Sequence, residues 1–266
     1  MDEKNTKRIV REAYGKIAKG DGGCGCGTCG PDTKTFAKSI GYSNEELSAI
    51  PKEANLALSC GNPTALARLK QGETVLDLGS GVGFDCFLAA NKVGAKGKVI
   101  GVDMTPEMVE KARQNAKRNN IKNVEFKLGE IEALPVADKS VDAVISNCVI
   151  NLSSDKEKVF SEIYRVLKPG GRIAISDIAL KKALPKNIMD SILAYVGCVA
   201  GAILIDEYKK IVKASGFKDV KITITGSSAC IDPDTKDPMG RAILDSLDKG
   251  TSLDDYVVSA YIEGNK

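Results

Sequence analysis

Thr74-Val75-Leu76-Asp77-Leu78-Gly79-Ser80-Gly81-Val82-Gly83 is the stretch on which the fold turns. Its apolar, β-branched start reads as a short buried strand, and the glycines from Gly79 onward end it. Phe84 to Val93 then has helical spacing. Working outward, Lys98 to Asp103 is a second strand, and Thr105-Pro106-Glu107 opens a helix to about Asn119, with a hydroxyl at the cap and Pro in the first turn. Val124–Leu128 and Val141–Ser146 are a third and a fourth strand. A helix from about Asp155 meets a stop at Lys168-Pro169-Gly170-Gly171, and Arg172 to Asp177 is a fifth strand. Strands that alternate with helices predict an α/β protein with a doubly wound, mostly parallel sheet. Helical stretches at Ile188–Val199 and Tyr208–Ala214 follow. Val220–Thr225 and Tyr256–Glu263 alternate apolar with polar residues and predict two more strands closing one edge, which makes a seven-stranded sheet. Residues 226–255, rich in Asp, Gly and Ser, read as an inserted loop with a short helix.

Upstream, Asn5 to Ala18 places Ile9, Val10, Ala13, Tyr14 and Ile17 at helical spacing. Gly20 to Pro31 is too dense in glycine to hold a helix or a strand and reads as a loop. The expected organisation is a helical and Cys-loop extension at 1–70, the α/β core at 71–182, and a C-terminal segment with the sheet-closing strands at 183–266.

The glycines at the first strand-to-helix turn let backbone approach a ligand and leave amides pointing at it. Asp103 ends the second strand 20 residues past Gly83, where a carboxylate accepts both hydroxyls of a ribose. A dinucleotide site would place its third glycine one residue later, and here an acid precedes the first.

Composition narrows the chemistry. The 266 residues are 43% hydrophobic and 27% charged with a net charge of +3, too small to argue for nucleic acid or an anionic membrane. Aromatic content of 5% gives little for base stacking. No apolar run approaches the roughly 18 residues of a membrane span, and Met1 to Val10 has no apolar signal core, so a cytoplasmic protein is expected. There is no His, which removes His-based nucleophilic triads and the usual general base. Against that stand eight cysteines. In a reducing compartment such a set reads as metal-binding or catalytic. Cys60 precedes the first strand, Cys148 ends the fourth and Cys198 follows the fifth. Ligands of such sheets sit outside the carboxyl ends of the strands, which puts Cys148 at the site. Three thiolates converging there form a soft trigonal site, better suited to a trivalent metalloid with a lone pair than to tetrahedral zinc. Any one of these cysteines alone could equally be a buried small hydrophobe, and Cys86 reads that way. Cys230, in the insertion, reads as inert or a minor redox thiol.

Asp77 to Gly83, Gly129-Glu130-Ile131-Glu132-Ala133-Leu134-Pro135 and Leu167 to Gly171 together resemble the motifs of class I S-adenosylmethionine methyltransferases. That resemblance implies a cofactor site of Asp77, Gly79, Ser80, Gly81, Gly83, Asp103, Met104, Glu130, Ile131 and Asn147. Asp77 and Gly79 would meet the methionine end, Glu130 the adenine amino group, Ile131 the adenine face, and Asn147 would line the methyl-transfer face. Nearly the whole chain is similar to arsenite S-adenosylmethionine methyltransferases. The similarity runs through Ile40–Ser43, Ile50–Leu56, Cys60-Gly61-Asn62-Pro63, Val75–Ala90, Val99–Met108, Ser146–Leu152 and Gly197–Ala202. It implies that Cys60, Cys148 and Cys198 bind arsenic(III), and that Cys29 is a further redox cysteine. Cys24 and Cys26 transfer poorly.

The implied reaction moves the methyl group of S-adenosyl-L-methionine to arsenite or its thiol conjugates. The arsenic lone pair is the nucleophile, so no general base is required. Methyl transfer formally oxidises arsenic. The resemblance implies electrons from thiols, a Cys29–Cys60 disulfide, and a thiol reductant such as thioredoxin or glutathione to clear it. Two alternatives stay open at this stage: methyl transfer to another small molecule such as a quinone, and a metal-binding protein built on Cys24, Cys26 and Cys29.

Overall fold

The computed structural model describes residues 3–20, 33–227, 241, 243–247 and 250–266. Helix α1 spans Glu3–Lys19; α2 (Thr33–Ser39), α3 (Asn44–Ser48) and α4 (Pro63–Leu66) follow. The sheet core then alternates β1 (Thr74–Leu78), α5 (Phe84–Val93), β2 (Lys98–Asp103), α6 (Pro106–Arg118), β3 (Val124–Leu128), β4 (Val141–Asn147), α7 (Lys156–Val166) and β5 (Leu167–Leu180). The chain continues through α8 (Lys186–Met189), α9 (Ile192–Val196) and α10 (Ile205–Ala214) to β6 (Lys218–Ser227) and β7 (Val257–Asn265).

These strands form one seven-stranded sheet in the order β3-β2-β1-β4-β5-β7-β6. Strands β1 to β5 pair in parallel, and β7 runs antiparallel between β5 and β6. The expected doubly wound sheet with two closing strands is what forms. Strands buried on both faces carry near-continuous apolar runs, as Val75-Leu76 and Val99-Ile100 do. One face is covered by residues such as Phe160, Ile163 and Tyr208, the other by Phe87, Val93 and Val109. A third apolar cluster joins Val10 of α1 to Cys148, Leu152, Ile188 and Cys198 at the carboxyl ends of β4 and β5.

Several boundaries depart from the sequence expectation for identifiable reasons. The helix expected over Ile188–Val199 is two short helices, because the Ser191 hydroxyl accepts from Ala194 N and restarts the turn. Thr105 precedes α6 without a side-chain cap; its amide instead donates to Asp103 Oδ1 at 2.8 Å. Lys168 to Gly171, expected as a helix stop, lies within the long strand β5. Within 226–255, β6 runs on to Ser227, residues 241, 243 and 244 are helical, and Leu253–Asp255 forms a 3-10 turn. Cys230 lies outside the described residues, as do Cys24, Cys26 and Cys29. Among the described residues no helix is long and apolar enough to cross a membrane.

Strand β5 carries a buried carboxylate where sheet core and C-terminal helices meet. Asp177 Oδ1 accepts from Ile178 N at 2.9 Å and from Asn151 Nδ2 at 3.0 Å, and Tyr208 OH lies 3.5 Å from Oδ2. Burial pushes Asp177 up to about 7. With its folded-state pKa above its unfolded value, ionisation of this group costs the folded state stability as pH rises toward 7, and that cost is fully present above it. Asp177→Asn removes the titration. The melting temperature of the variant relative to wild type is therefore expected to be higher at pH 8 than at pH 5 in thermal unfolding scans; a pH-independent difference would refute the titration.

Candidate active site

The strand order reverses between β1 and β4, and in such sheets the crevice at that switch point is the usual ligand site. A cleft lies there, enclosing about 1030 Å³ with its open mouth. Its walls include Asp77, Gly79, Ser80 and Gly81 from the β1 turn, Asp103 and Met104 from the end of β2, and Gly129, Ile131 and Glu132 after β3. Asn147, Cys148 and Val149 close it at the end of β4, and Lys7, Val10 and Tyr14 of α1 cover it.

The glycine turn makes a tight wall. Gly79 and Gly81 have φ of +65° and +51°, and a Cβ at Gly79 would collide with Val149. Four of its amides are taken up within the protein. Gly79 N and Ser80 N donate to Val102 O, Gly83 N to Ser80 O, and Gly81 N to Asp103 Oδ2 at 2.9 Å. The loop therefore supplies close approach and shape, and holds Asp103 in place. Each Asp103 oxygen keeps acceptor capacity beyond these bonds, which is what a pair of ribose hydroxyls requires.

Glu130 and Glu132 divide differently from the expectation. Glu132 and Ile131 line the cleft, whereas Glu130 is ion-paired with Lys7 at 2.9 Å and Arg11 at 3.5 Å of α1. Lys7 also reaches Glu132, at 3.3 Å.

Asp85 was not singled out from sequence. It sits in the first turn of α5, is 5% exposed and lines the cleft beside Asp77, which is 2% exposed. Its one signal in the sequence was a carboxylate inside the apolar run Phe84 to Leu88. Burial raises Asp85 to about 6. Burial, followed by the Asp85 charge, also holds Asp77 well above the usual carboxylate range. Tyr42 OH donates to Asp85 Oδ1 at 2.8 Å, and Asn147 Nδ2 lies 3.0 Å from Oδ2.

Of the three cysteines expected to converge, Cys60 and Cys148 meet side chain to side chain, and Cys198 reaches the backbone of Cys148. Cys60 and Cys148 are paired as a disulfide, with Cα atoms 5.9 Å apart. Cys198 Sγ donates to Cys148 O at 2.9 Å, and Tyr14 OH is 3.9 Å from the same sulfur. The partner expected for Cys60 was Cys29, which lies outside the described residues; the structure pairs Cys60 with Cys148. Cys148 and Cys198 have left-handed backbone, φ +55° and +62°. That conformation costs a non-glycine residue about 1–3 kcal/mol and concentrates at functional sites. Cys198 follows α9 at the position where glycine usually ends a helix. Among the described residues no group of three or more His, Cys, Asp or Glu is arranged to hold a metal ion. Cys86 is fully buried and donates to Asp77 Oδ2 at 3.2 Å, which agrees with packing as its role.

A sheet of this order with a cleft at its switch point defines a methyltransferase fold, and a methyltransferase-domain family model matches residues 69–216. A Haemonchus contortus phosphoethanolamine N-methyltransferase 2 crystallised with S-adenosyl-L-methionine shares that fold, with TM-score 0.61 and 22% identity over 88% of this chain and 60% of that one. An arsenite methyltransferase of Halobacterium salinarum is 45% identical over the whole of this chain, which spans 68% of that protein. An arsenic(III) S-adenosylmethionine methyltransferase of Chlamydomonas reinhardtii superposes with TM-score 0.62 and 31% identity, covering 86% of this chain and 72% of that one. The human arsenite methyltransferase is 34% identical over 79% of this chain, which spans 58% of its length. The chain belongs to the arsenite methyltransferase family.

The cleft suits S-adenosylmethionine on its own chemistry. Asp77, Asp85, Asp103 and Glu132 line it against a single lysine, Lys7, among the described lining residues. That is an acceptor set for a ligand bearing sulfonium and ammonium charges and ribose hydroxyls. The buried Ser80 Oγ, in the same wall, has no hydrogen-bond partner among the described residues. A cationic ligand favours ionised Asp85, so binding below pH 6 must expel a proton. Cofactor affinity is expected to fall as pH drops through about 6, by up to about tenfold per pH unit for one proton. Calorimetry from pH 5 to 8 measures it, and Asp85→Asn should flatten the dependence; an unchanged slope in that variant rejects the assignment.

Proposed function

We propose that this chain transfers the methyl group of S-adenosylmethionine to arsenic(III) held by Cys60, Cys148 and Cys198. The observation that carries the proposal is the place of Cys148. It stands on the wall of the cofactor cleft and touches both other cysteines. When bound, S-adenosylmethionine supplies an electrophilic methyl group.

Asp103 would hold the ribose hydroxyls, and Asp77 with Asp85 would offset positive charge at the methionine end. Ile131 and Glu132 lie where the adenine is expected. Glu130 reaches the base only if Lys7 and Arg11 of α1 give way. The three thiolates orient the arsenic lone pair, so catalysis is largely alignment, and the absence of His is no handicap. The thiols must still lose their protons.

Methylation takes arsenic formally from +3 to +5. Two thiols return two electrons to it and become a disulfide. The Cys60–Cys148 pair must likewise be opened before arsenite can bind, by exchange with an external dithiol or two monothiols such as thioredoxin or glutathione. Turnover should therefore require a thiol reductant.

The test is to incubate labelled cofactor, a thiol and arsenite with the enzyme and separate the arsenic species. Labelled methyl groups should appear on arsenic. Cys148→Ser should lower the rate about a hundredfold or more, with cofactor still bound. Asp103→Ala should instead cost about 1–3 kcal/mol in cofactor binding. Cofactor turnover that ignores arsenite but proceeds on a quinone, or a Cys148→Ser enzyme of wild-type rate, would overturn the proposal.

A further inference from the structure

Asn147 was expected to face the cofactor. The structure gives its carboxamide a different set of partners. Its Oδ1 accepts from the backbone amide of Cys60 at 2.8 Å, and its Nδ2 lies 2.8 Å from Gly61 O. One side chain thus grips both ends of the Cys60-Gly61 unit, as a neighbouring strand would. The same Nδ2 is 3.0 Å from Asp85 Oδ2 and 3.0 Å from Tyr42 OH, and Tyr42 OH donates back to Asp85. The carboxamide is therefore held on its far side by a buried carboxylate and a buried phenol.

We propose that Asn147 is a positioning residue, whose carboxamide fixes the Cys60 loop against the end of β4 and so sets the spacing of two arsenic-binding thiols. The proposal rests on the arsenic function above. Its geometry is simple. Cys148 is the next residue after Asn147, so one peptide link separates the clamp from the second thiol. Cys148 N is itself tied to Ser176 O at 2.9 Å, which fixes that end on β5. The Cys60 loop has no slack on its other side. A Cβ at Gly61 would collide with Ser176 and the Tyr261 ring, and Asn62 N donates to Tyr261 OH at 3.1 Å. The clamp thus keeps the Cys60 backbone beside Cys148, with Cα atoms 5.9 Å apart in the paired state. An arsenic(III) ion with three open valences takes Cys60 as its third thiolate. A methylated trivalent arsenical has two open valences and can be held by Cys148 and Cys198 alone. Loss of the clamp should therefore separate the two substrates, which a general loss of structure would not do.

The experiment is a double-mutant cycle on the full chain with bound thiols reduced. Arsenite affinity is measured by calorimetry for wild type, Asn147→Ala, Cys60→Ser and the double variant. Methylation of arsenite and of a monomethylated trivalent arsenical is followed in parallel. Asn147→Ala is expected to weaken arsenite binding about tenfold and to add nothing once Cys60 is Ser. KM for arsenite should rise by a similar factor, and KM for the methylated substrate by much less. The loss on arsenite should exceed any loss in cofactor affinity. Equal losses with and without Cys60, or a loss mainly in cofactor affinity, would overturn the proposal and return Asn147 to the cofactor. If Asn147→Ala does not fold, Asn147→Ser keeps a hydroxyl at the position, and Cys60 alkylation relative to Cys148, read by peptide mass, should rise in it; an unchanged ratio counts against the clamp. Failure of the underlying function looks different. Wild-type protein that does not bind arsenite, or Cys60→Ser protein that binds it as tightly as wild type, removes the arsenic site itself.

Discussion

The parallel pairing of β1 with β4, alongside β1 with β2, is the constraint from which the site follows. The chain leaves β1 and β4 toward opposite faces of the sheet, so neither following helix covers the gap between their carboxyl ends, and α1 packs over it instead. Everything that faces the cleft is placed by that gap. Asp77 and the glycine turn come from β1, Asp103 from β2, Asn147 and Cys148 from β4, and Ser59, beside Cys60, from the segment that precedes the sheet. Long-range order thus lets residues distant in sequence meet without any local motif that joins them.

The gap also explains a cost. Asp77 and Asp85 are almost fully buried; burial raises the pKa of both, and the Asp85 charge raises Asp77 further. Two ionised carboxylates in that setting are unfavourable until a cation arrives. Hydrogen bonds from Tyr42, Asn147 and Cys86 offset part of the desolvation. The remainder is a preference for positive charge built into the cleft. It matches the sulfonium and ammonium charges of S-adenosylmethionine. Helix α1 answers the same field differently: Lys7 and Arg11 pair with Glu130, and Lys7 with Glu132. The cleft therefore sits between acidic walls and a basic lid helix.

Much of the fold was legible because each core strand and helix carries its own signal. The bounds of β1, α5, β2 and β3 follow directly from apolar runs and the glycines or Pro beside them. Where elements depend on side chains reaching across, sequence was silent. Ser191 splits a helix that periodicity would run through, and Thr105 gives its amide to Asp103 instead of capping with its hydroxyl. The site was legible to the same degree. Asp77, Ser80, Asp103 and Ile131 reach the cleft because they follow strands. The turn away of Glu130 depends on α1, which is over a hundred residues distant, as the Lys7–Glu130 separation of 123 shows. Asp85 and Tyr42 were illegible for another reason: each looks like an ordinary member of a helix face or loop until the strand ends bring Asn147 between them.

The two left-handed cysteines make the last connection between fold and chemistry. A thiolate ligand set works only if its sulfurs are held near the geometry of the bound ion, since flexible ligands lose entropy on capture. Cys148 and Cys198 reach their positions through φ values that most residues avoid, and each is fixed by backbone bonds, Cys148 N to Ser176 O and Cys198 N to Tyr195 O. The backbone thereby supplies the preorganisation that a more flexible side chain could not. A site formed this way needs no imidazole to hold or orient its ligands. In the arsenic site proposed above, strained backbone at two thiols and a carboxamide at the third would perform the task that a His-rich enzyme gives to ring nitrogens.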